Sequence, residues 1–295
     1  VENNRETFDE LQSATEPYKD VVKNLFGPFI DNVDAILRIV GDKPVICFLD
    51  PFGIDGIDMS GIEKLMRRGG VTDFWIRFEE GEVRRRDGYY SNLEPGADRN
   101  FDILRRVYGI HDDNKLHNLL DGFTPQERKN KAVNLYLERL SEEFAKTRRR
   151  VGFAAAYPIN SVEGTSKYHL VFSTASKKGL NLASNIVYGI EENYQKEVAW
   201  YKANRTRQLS LFQLDPSEKE VFDEKVAQIR KQIQVTWSGR SVTRQDIHTD
   251  LLLNNHWFGS IKGKHLTAAL SALAKENQAT HVGAISDDNT IFNIV

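Results

Sequence analysis

Apolar positions recur along the chain with two different periods, and the switches between them outline an alternating α/β order. Phe29, Val33, Ile36, Leu37 and Val40 form one helical stripe, which Pro28 opens and Gly41 closes. The uninterrupted apolar run Val45 to Leu49 then reads as a buried strand that stops at Asp50, Pro51, Phe52 and Gly53. Met59, Ile62, Leu65 and Met66 mark a short helix with both methionines as core filler, Gly69-Gly70 turns the chain, and Asp73 to Phe78 forms a second strand. Strand–helix–strand order of this kind implies parallel pairing with helices on the sheet faces.

Residues from about 97 to 150 predict a helical insertion, ending in a long helix with Val133, Tyr136, Leu137, Leu140 and Phe144 on one stripe. Arg148-Arg149-Arg150 closes that helix where its dipole favours positive charge. Val151 to Tyr157 and Tyr168 to Thr174 read as two strands whose short, turn-rich link requires antiparallel pairing. A helix burying Ala183, Ile186, Val187, Ile190 and Tyr194 closes the first domain. Asn204-Arg205-Thr206-Arg207 and the apolar clip Leu209, Leu211 and Phe212 predict a linker, after which Asp215-Pro216 starts a helix striped by Phe222, Val226, Ile229 and Ile233.

Thr243 with Asp246 begins the next helix, a turn at Phe258-Gly259 leads to one bearing Leu266, Ala269, Leu270 and Leu273, and Ala279 to Ile285 pairs with Thr290 to Val295. Two helices and a terminal hairpin predict a winged-helix module. The expected organisation is an α/β domain over residues 1–200 with its insertion at about 97–150, a linker and connecting helix over 201–235, and a winged-helix domain over 236–295.

The candidate chemistry gathers at strand ends. Ligands of open α/β sheets bind beyond the carboxyl ends of strands. Asp50 is thus predicted to point a carboxylate into a crevice, with Pro51 fixing the backbone and Phe52 offering a flat apolar face; a plain strand-to-helix turn is the structural alternative. Glu2, at the end of a strand tail, is a second acid of this type, since an ionised carboxylate accepts hydrogen bonds from ribose hydroxyls. Arg77 shares Asp50's rim if the two strands run parallel, and either clamps an anion or pairs with Glu79 or Glu80. Arg84, Arg85 and Arg86 beside Tyr89 and Tyr90 combine guanidinium groups with aromatic faces, as suits single-stranded nucleic acid, against a solvated loop. Lys262, Lys264 and His265 crowd the start of the second winged-helix helix, where a recognition helix meets phosphates or base edges, although such domains also bind proteins.

Taken together, V-E-N-N-R-E-T-F-D-E-L (Val1 to Leu11), F-L-D-P-F-G (Phe48 to Gly53), D-F-W-I-R-F (Asp73 to Phe78), Y-H-L-V-F-S-T-A-S-K-K-G-L (Tyr168 to Leu180) and about the last fifty residues resemble the three-Cys-motif partner protein family. The resemblance implies a Rossmann-like, S-adenosylmethionine-dependent methyltransferase with a C-terminal winged helix. It implies Glu2, Asp50 and Gly53 as cofactor-binding residues and Asp50, Pro51 and Phe52 as catalytic ones, acting on a nitrogen acceptor. Asp50-Pro51-Phe52-Gly53 is similar to the Asp-Pro-Pro-aromatic loop of amino-methyltransferases, with Phe52 placed to stack on an extruded base. It lacks the second proline, which keeps a protein side chain open as the acceptor beside nucleic acid.

A further departure is that no glycine-rich turn follows an apolar strand at the spacing such a cofactor needs. The first strand and its glycine loop are therefore expected upstream of Val1, or else the domain is degenerate. In the degenerate case the chain is a catalytically silent scaffold in a multi-protein complex, with a three-Cys-motif protein or a phage-defence subunit as partner.

Bulk properties bound this picture. At 295 residues the chain fits about two domains. A net charge of −2 excludes neither nucleic acid nor acidic partners, because clustering matters more than the sum. The single cysteine, Cys47, rules out an intrachain disulfide framework and a cysteine-based zinc site. His111 and His117 lack a third ligand at metal spacing, and no acid cluster with a lysine follows a strand as a nuclease would need. With no apolar run near ~18 residues and no visible signal peptide, the expectation is a cytoplasmic protein without a membrane span.

Overall fold

The computed structural model describes residues 1–91, 96–122, 124–148, 151–160, 166–206, 218–254 and 257–295. It is a mixed α/β structure in two compact units, Val1–Ala175 and Ser176–Val295.

The first unit runs α1 (Arg5–Thr15), α2 (Phe29–Val40), β1 (Val45–Leu49), α3 (Met59–Arg67), β2 (Thr72–Phe78), α4 (Glu80–Ser91), α5 (Ala97–Tyr108), α6 (Asp113–Leu120), α7 (Pro125–Arg148), β3 (Phe153–Asn160) and β4 (Ser166–Thr174). Its sheet has the order β1-β2-β4-β3. β1 and β2 are parallel, whereas β4 is antiparallel to both of its neighbours.

Local chemistry explains the element ends. The Asn4 side chain accepts from the Thr7 N–H to start α1, Pro28 precedes α2, and Gly41 ends α2 at φ 52°. Gly70 is tightly placed: a Cβ there would lie 2.3 Å from the Asp42 carbonyl oxygen. The β1–β2 pair thus opens at a corner that excludes larger residues.

Thr72, Phe74, Ile76 and Phe78 alternate inward along β2, all fully or nearly fully buried. Phe78 stacks on Tyr136 of α7 at 4.6 Å between ring centroids, and the Tyr108 hydroxyl donates to the Ala132 carbonyl at 2.9 Å, so the insertion forms part of this core. The two methionines, Met59 and Met66, are buried in it as expected.

β1 departs from expectation. Its burial alternates, leaving Ile46 74% and Phe48 62% exposed, so it is a half-covered edge strand and not a buried one. The reason is one-sided packing: Leu49 and Cys47 meet the core while the opposite face of the strand is uncovered. Arg84, Arg85 and Arg86 also fall on a helix, α4, and not in a solvated loop. Glu80 and Glu82 in its first turn suit the helix dipole, and Glu82 pairs with Arg85 and Arg86 one turn on.

The second unit runs α8 (Lys177–Thr206), α9 (Glu218–Trp237), β5 (Ser241–Thr243), α10 (Arg244–Asn254), α11 (Gly263–Lys275), β6 (Ala279–Val282) and β7 (Ile291–Ile294). Its antiparallel sheet has the order β5-β7-β6. Leu266, Ala269, Leu270 and Leu273 of α11 are fully buried, as are Ile229 and Ile233 of α9 and Ile247 of α10. Thr243 starts α10 by accepting from the Asp246 N–H.

Helix α8 differs from expectation twice. It continues across residue 200 and belongs to the second unit rather than closing the first. It buries Ala183 and Val187, yet Ile186 and Ile190 are 49% and 60% exposed, because the face that packs is set by α10 and by the Ser184 hydroxyl, which accepts from the Gly259 N–H. The expected features at Tyr89 and Tyr90, Arg148 to Arg150, Asn204 to Arg207, Leu209, Leu211, Phe212 and Asp215-Pro216 rest on side chains or segments outside the described residues. No helix among the described residues is long and apolar enough to cross a membrane.

Candidate functional site

The carboxyl end of the parallel β1–β2 pair gathers most of the first unit's chemistry. Parallel pairing sets Leu49 opposite Ile76, so the next residues, Asp50 and Arg77, emerge on one rim. Arg77 Nη1 donates to Asp50 Oδ1 at 3.3 Å, and Nη2 donates to Glu79. Its guanidinium also lies 4.8 Å from the centre of the Tyr168 ring. Arg77 therefore pairs with Glu79, one of the two neighbours the sequence offered, and also with Asp50 across the rim.

The corner itself is open. The Asp50 side chain is 52% exposed and Phe52 is completely exposed, so neither is plugged by the chain's own packing. Gly53 takes φ 82°, a left-handed conformation that suits glycine, and it is buried beside the Glu82 side chain. Arg106 of α5 then anchors the rest of the loop, donating to the buried Asp58 at 2.7 Å and to Asp55 at 3.2 Å. The insertion thus holds the Asp50–Gly53 corner in place from the far end of its loop.

On the inward side of the same rim lies a group that sequence reading missed. Phe78 is paired with His169, which places the imidazole on the inward face. Its Nδ1 is 3.2 Å from Glu80 Oε2, and Lys129 Nζ is 2.9 Å from Glu80 Oε1. Burial opposes the Glu80 charge, but the hydrogen bonds from His169 and Lys129 win and hold the carboxyl down to about 2. The available signal was parity: a histidine on the inward side of an alternating strand needs a polar partner, which the sequence does not locate.

Glu2 forms an isolated parallel bridge with Phe26, and its carboxylate accepts from the Asn4 N–H at 2.7 Å. That bond leaves acceptor capacity, because a carboxylate has about four lone-pair sites. Burial pushes the Cys47 thiol up to about 11, so it is no thiolate at neutral pH. Of the α4 arginines, Arg85 pairs with Glu82 at 2.7 Å and Arg86 donates to Asn100 at 2.8 Å, leaving Arg84 exposed. In the second unit, Lys262 and Lys264 reach the surface, but His265 is 1% exposed and accepts from the Lys262 N–H, so it cannot reach a base edge.

His117 pairs with Asp87 at 2.8 Å, and no group of three or more His, Cys, Asp or Glu residues among the described residues is arranged to hold a metal ion. A depression of about 360 Å³ lined by Gln12, Thr15, Lys19, Val22, Asn24 and Ile39 shares no residue with the Asp50 corner. Comparison with protein-family models, curated proteins and solved structures found no match.

Proposed function

We propose that the first unit is a Rossmann-like methyltransferase domain that transfers a methyl group from S-adenosylmethionine to a nitrogen acceptor in nucleic acid. The observation that carries this reading is Asp50, an open carboxylate at the carboxyl end of a parallel strand pair and next to a fully exposed Phe52. The antiparallel β3–β4 hairpin at the far side of the sheet supports the same domain type. The second unit, with two helices before a terminal hairpin, supports a winged helix.

The residues present fit part of the cofactor: Glu2 and Asp50 have acceptor capacity for its hydroxyl and ammonium groups, and Gly53 allows a tight turn beside it. The loop after β1 carries Gly53 and Gly56, but no glycine-rich turn at the spacing such a cofactor needs follows an apolar strand among the described residues. The β1 edge, apolar and without charge, proline or bulge, is where another strand fits.

S-adenosylmethionine, when bound, supplies an electrophilic methyl group. Asp50 and the Pro51 carbonyl accept hydrogen bonds from the acceptor amine and hold its lone pair in line, and Phe52 stacks on the base that carries it. Asp50 also favours the positive charge that develops on nitrogen. Orientation supplies most of the acceleration in such a step.

The second reading is a catalytically silent scaffold, partnered by a three-Cys-motif protein or a defence-system subunit. The Arg77–Asp50 ion pair favours it, since the arginine already offsets the charge of the acid. Calorimetric titration of S-adenosylmethionine into the full-length protein separates the two. The methyltransferase reading expects saturable heat, weakened at least about tenfold by Asp50→Ala or Glu2→Ala, a loss of about 1.4 kcal/mol. Absence of heat in the unsubstituted protein leaves the scaffold.

A further inference from the structure

Helices α8, α9 and α11 of the second unit bring three ammonium groups together around two aromatic rings. Lys262 Nζ lies 4.3 Å from the Tyr188 ring centre and 3.6 Å from a Glu192 carboxylate oxygen. Lys225 Nζ lies 5.4 Å from the same ring and donates to the Ser260 carbonyl at 2.7 Å. Lys264 Nζ lies 5.5 Å from the Phe222 ring centre, and the lysine is exposed.

His265 lies beneath this group, with its ring 4.7 Å from Phe222 and 5.8 Å from Tyr188. Burial above all holds its pKa down to about 4, and the charges of Lys225, Lys264 and Lys262 add to it against a backbone hydrogen bond with Lys262. The imidazole is therefore neutral at pH 7 and adds no charge of its own to the group. Desolvation and the Lys264 charge also lower the pKa of Lys225, against the pull of Glu191. Glu191 and Glu192 supply nearby negative charge, but Lys264 pairs with no carboxylate among the described residues.

One more feature adds to the positive field and another fixes the lysines in place. Helix α11 starts at Gly263 with no acid in its first turn, so no carboxylate of its own offsets the positive end of its dipole. The ring faces and the Ser260 carbonyl hold Lys225 and Lys262 in place before any ligand arrives. Like charges grouped around shared rings are stabilised by an anion that spans them.

We propose that Lys225, Lys262 and Lys264 form a binding site for the phosphodiester backbone of nucleic acid. Each ammonium acts as a point charge on a phosphate, which positions the strand without reading its sequence. Tyr188, Phe222 and His265 support the lysines and do not contact bases. The choice of nucleic acid as the polyanion rests on the function proposed above, whereas the array itself does not depend on the Asp50 corner.

The test is fluorescence anisotropy of a labelled, mixed-sequence single strand of about 20 nucleotides, titrated with the full chain from about 50 to about 200 mM salt. Joint substitution Lys225→Gln, Lys262→Gln and Lys264→Gln is expected to weaken binding at least about tenfold at low salt and to flatten the log–log salt slope by about 2, at ~0.7 per phosphate. Lys264→Gln alone, on an exposed side chain that poses no folding risk, is expected to flatten it by about 0.7. The control Lys19→Gln, Lys23→Gln and Lys115→Gln, in the first unit, keeps both values. No binding by the unsubstituted chain at low salt, or equal binding by the site variant and the control, overturns the site. Equal competition by poly-glutamate assigns an acidic protein partner and overturns the nucleic-acid assignment. Cofactor calorimetry reads the first unit, so a failure there leaves these outcomes interpretable.

Discussion

In the first unit a deeply buried titratable group is a carboxylate: Glu80 is 2% exposed and meets Lys129 and His169. In the second, the comparable groups are histidines, His248 at 4% and His265 at 1% exposed, and both lie in positive surroundings. Burial first, then Arg244, lowers the His248 pKa to about 4 against the pull of Asp288. A charge given partners can stay charged inside a protein, whereas a base set among cations must stay neutral. The two units are therefore expected to answer acid in different ranges of pH, and their cores to fail separately.

The largest effect expected is on the cores. Phe78 is fully buried and stacked on Tyr136, and Phe78→Ala should cost about 3–5 kcal/mol, counting both lost transfer energy and the cavity. Leu270 is as deeply buried in α11, and Leu270→Ala should cost about 2–5 kcal/mol. Hydrogen exchange should show Phe78→Ala releasing amides of β2 and β4 first and Leu270→Ala releasing those of α9 and α11. If either substitution loosens both sets equally, the division into two cores is wrong.

Acid gives the next largest effect. A histidine whose folded pKa is lowered contributes stability that is full above the unfolded value of about 6.5 and is lost as pH falls towards the folded value of about 4. For His248 the loss is at most about 3 kcal/mol, from ~1.36 kcal/mol per pH unit. Glu80 has the opposite charge type: its lowered pKa contributes stability that is full above 4.5 and is lost as pH falls towards about 2. Between pH 6.5 and 4.5 the second unit should thus weaken while Glu80 costs the first nothing. Hydrogen exchange at pH 6.5 and pH 5 checks this, and His248→Asn should flatten the response of the second unit.

How much of this was legible in the sequence follows from the range of the interactions concerned. Phe29 to Val40 and Thr72 to Phe78 carry their own periodicity and their own end signals, so they were readable within a window of a few residues. Asp50 and Arg77 were placed on one rim because parallel pairing follows from strand–helix–strand order. The Glu80–His169 pair joins residues 89 positions apart, one in α4 and one in β4, and no local pattern announces it. Arg106 reaching Asp58 and Lys225 joining Lys262 are invisible for the same reason.

The errors share a different cause. Val45 to Leu49 has the composition of a buried strand, and its period gave no sign that Ile46 and Phe48 would face outward. Ile186 and Ile190 lie on a stripe that looked inward, whereas the packed face of α8 is the one carrying Ala183 and Val187. Apolar periodicity identifies a face, but only the neighbouring elements decide whether it is covered.

The smallest effects sharpen the comparison at one glycine from each unit. Gly53, in the Asp50 corner, and Gly283, after β6, both have positive φ, at 82° and 112°. A Cβ on Gly53 would sit 3.6 Å from the Glu82 side chain, an ordinary contact, so Gly53→Ala should cost only the left-handed backbone penalty of about 1–2 kcal/mol. Gly53→Asn should cost less, because asparagine tolerates that region. A Cβ on Gly283 would lie 2.7 Å from the Thr290 hydroxyl, which is held by its bond to the Ala284 carbonyl. Gly283→Ala should therefore cost about 1 kcal/mol more than Gly53→Ala, since overpacking adds to strain. Urea denaturation of the paired variants measures the difference, and Gly283→Ala with Thr290→Ser should leave the penalty in place because the offending oxygen remains. Equal costs at the two glycines would mean that backbone conformation alone sets them and that the Thr290 contact relaxes freely.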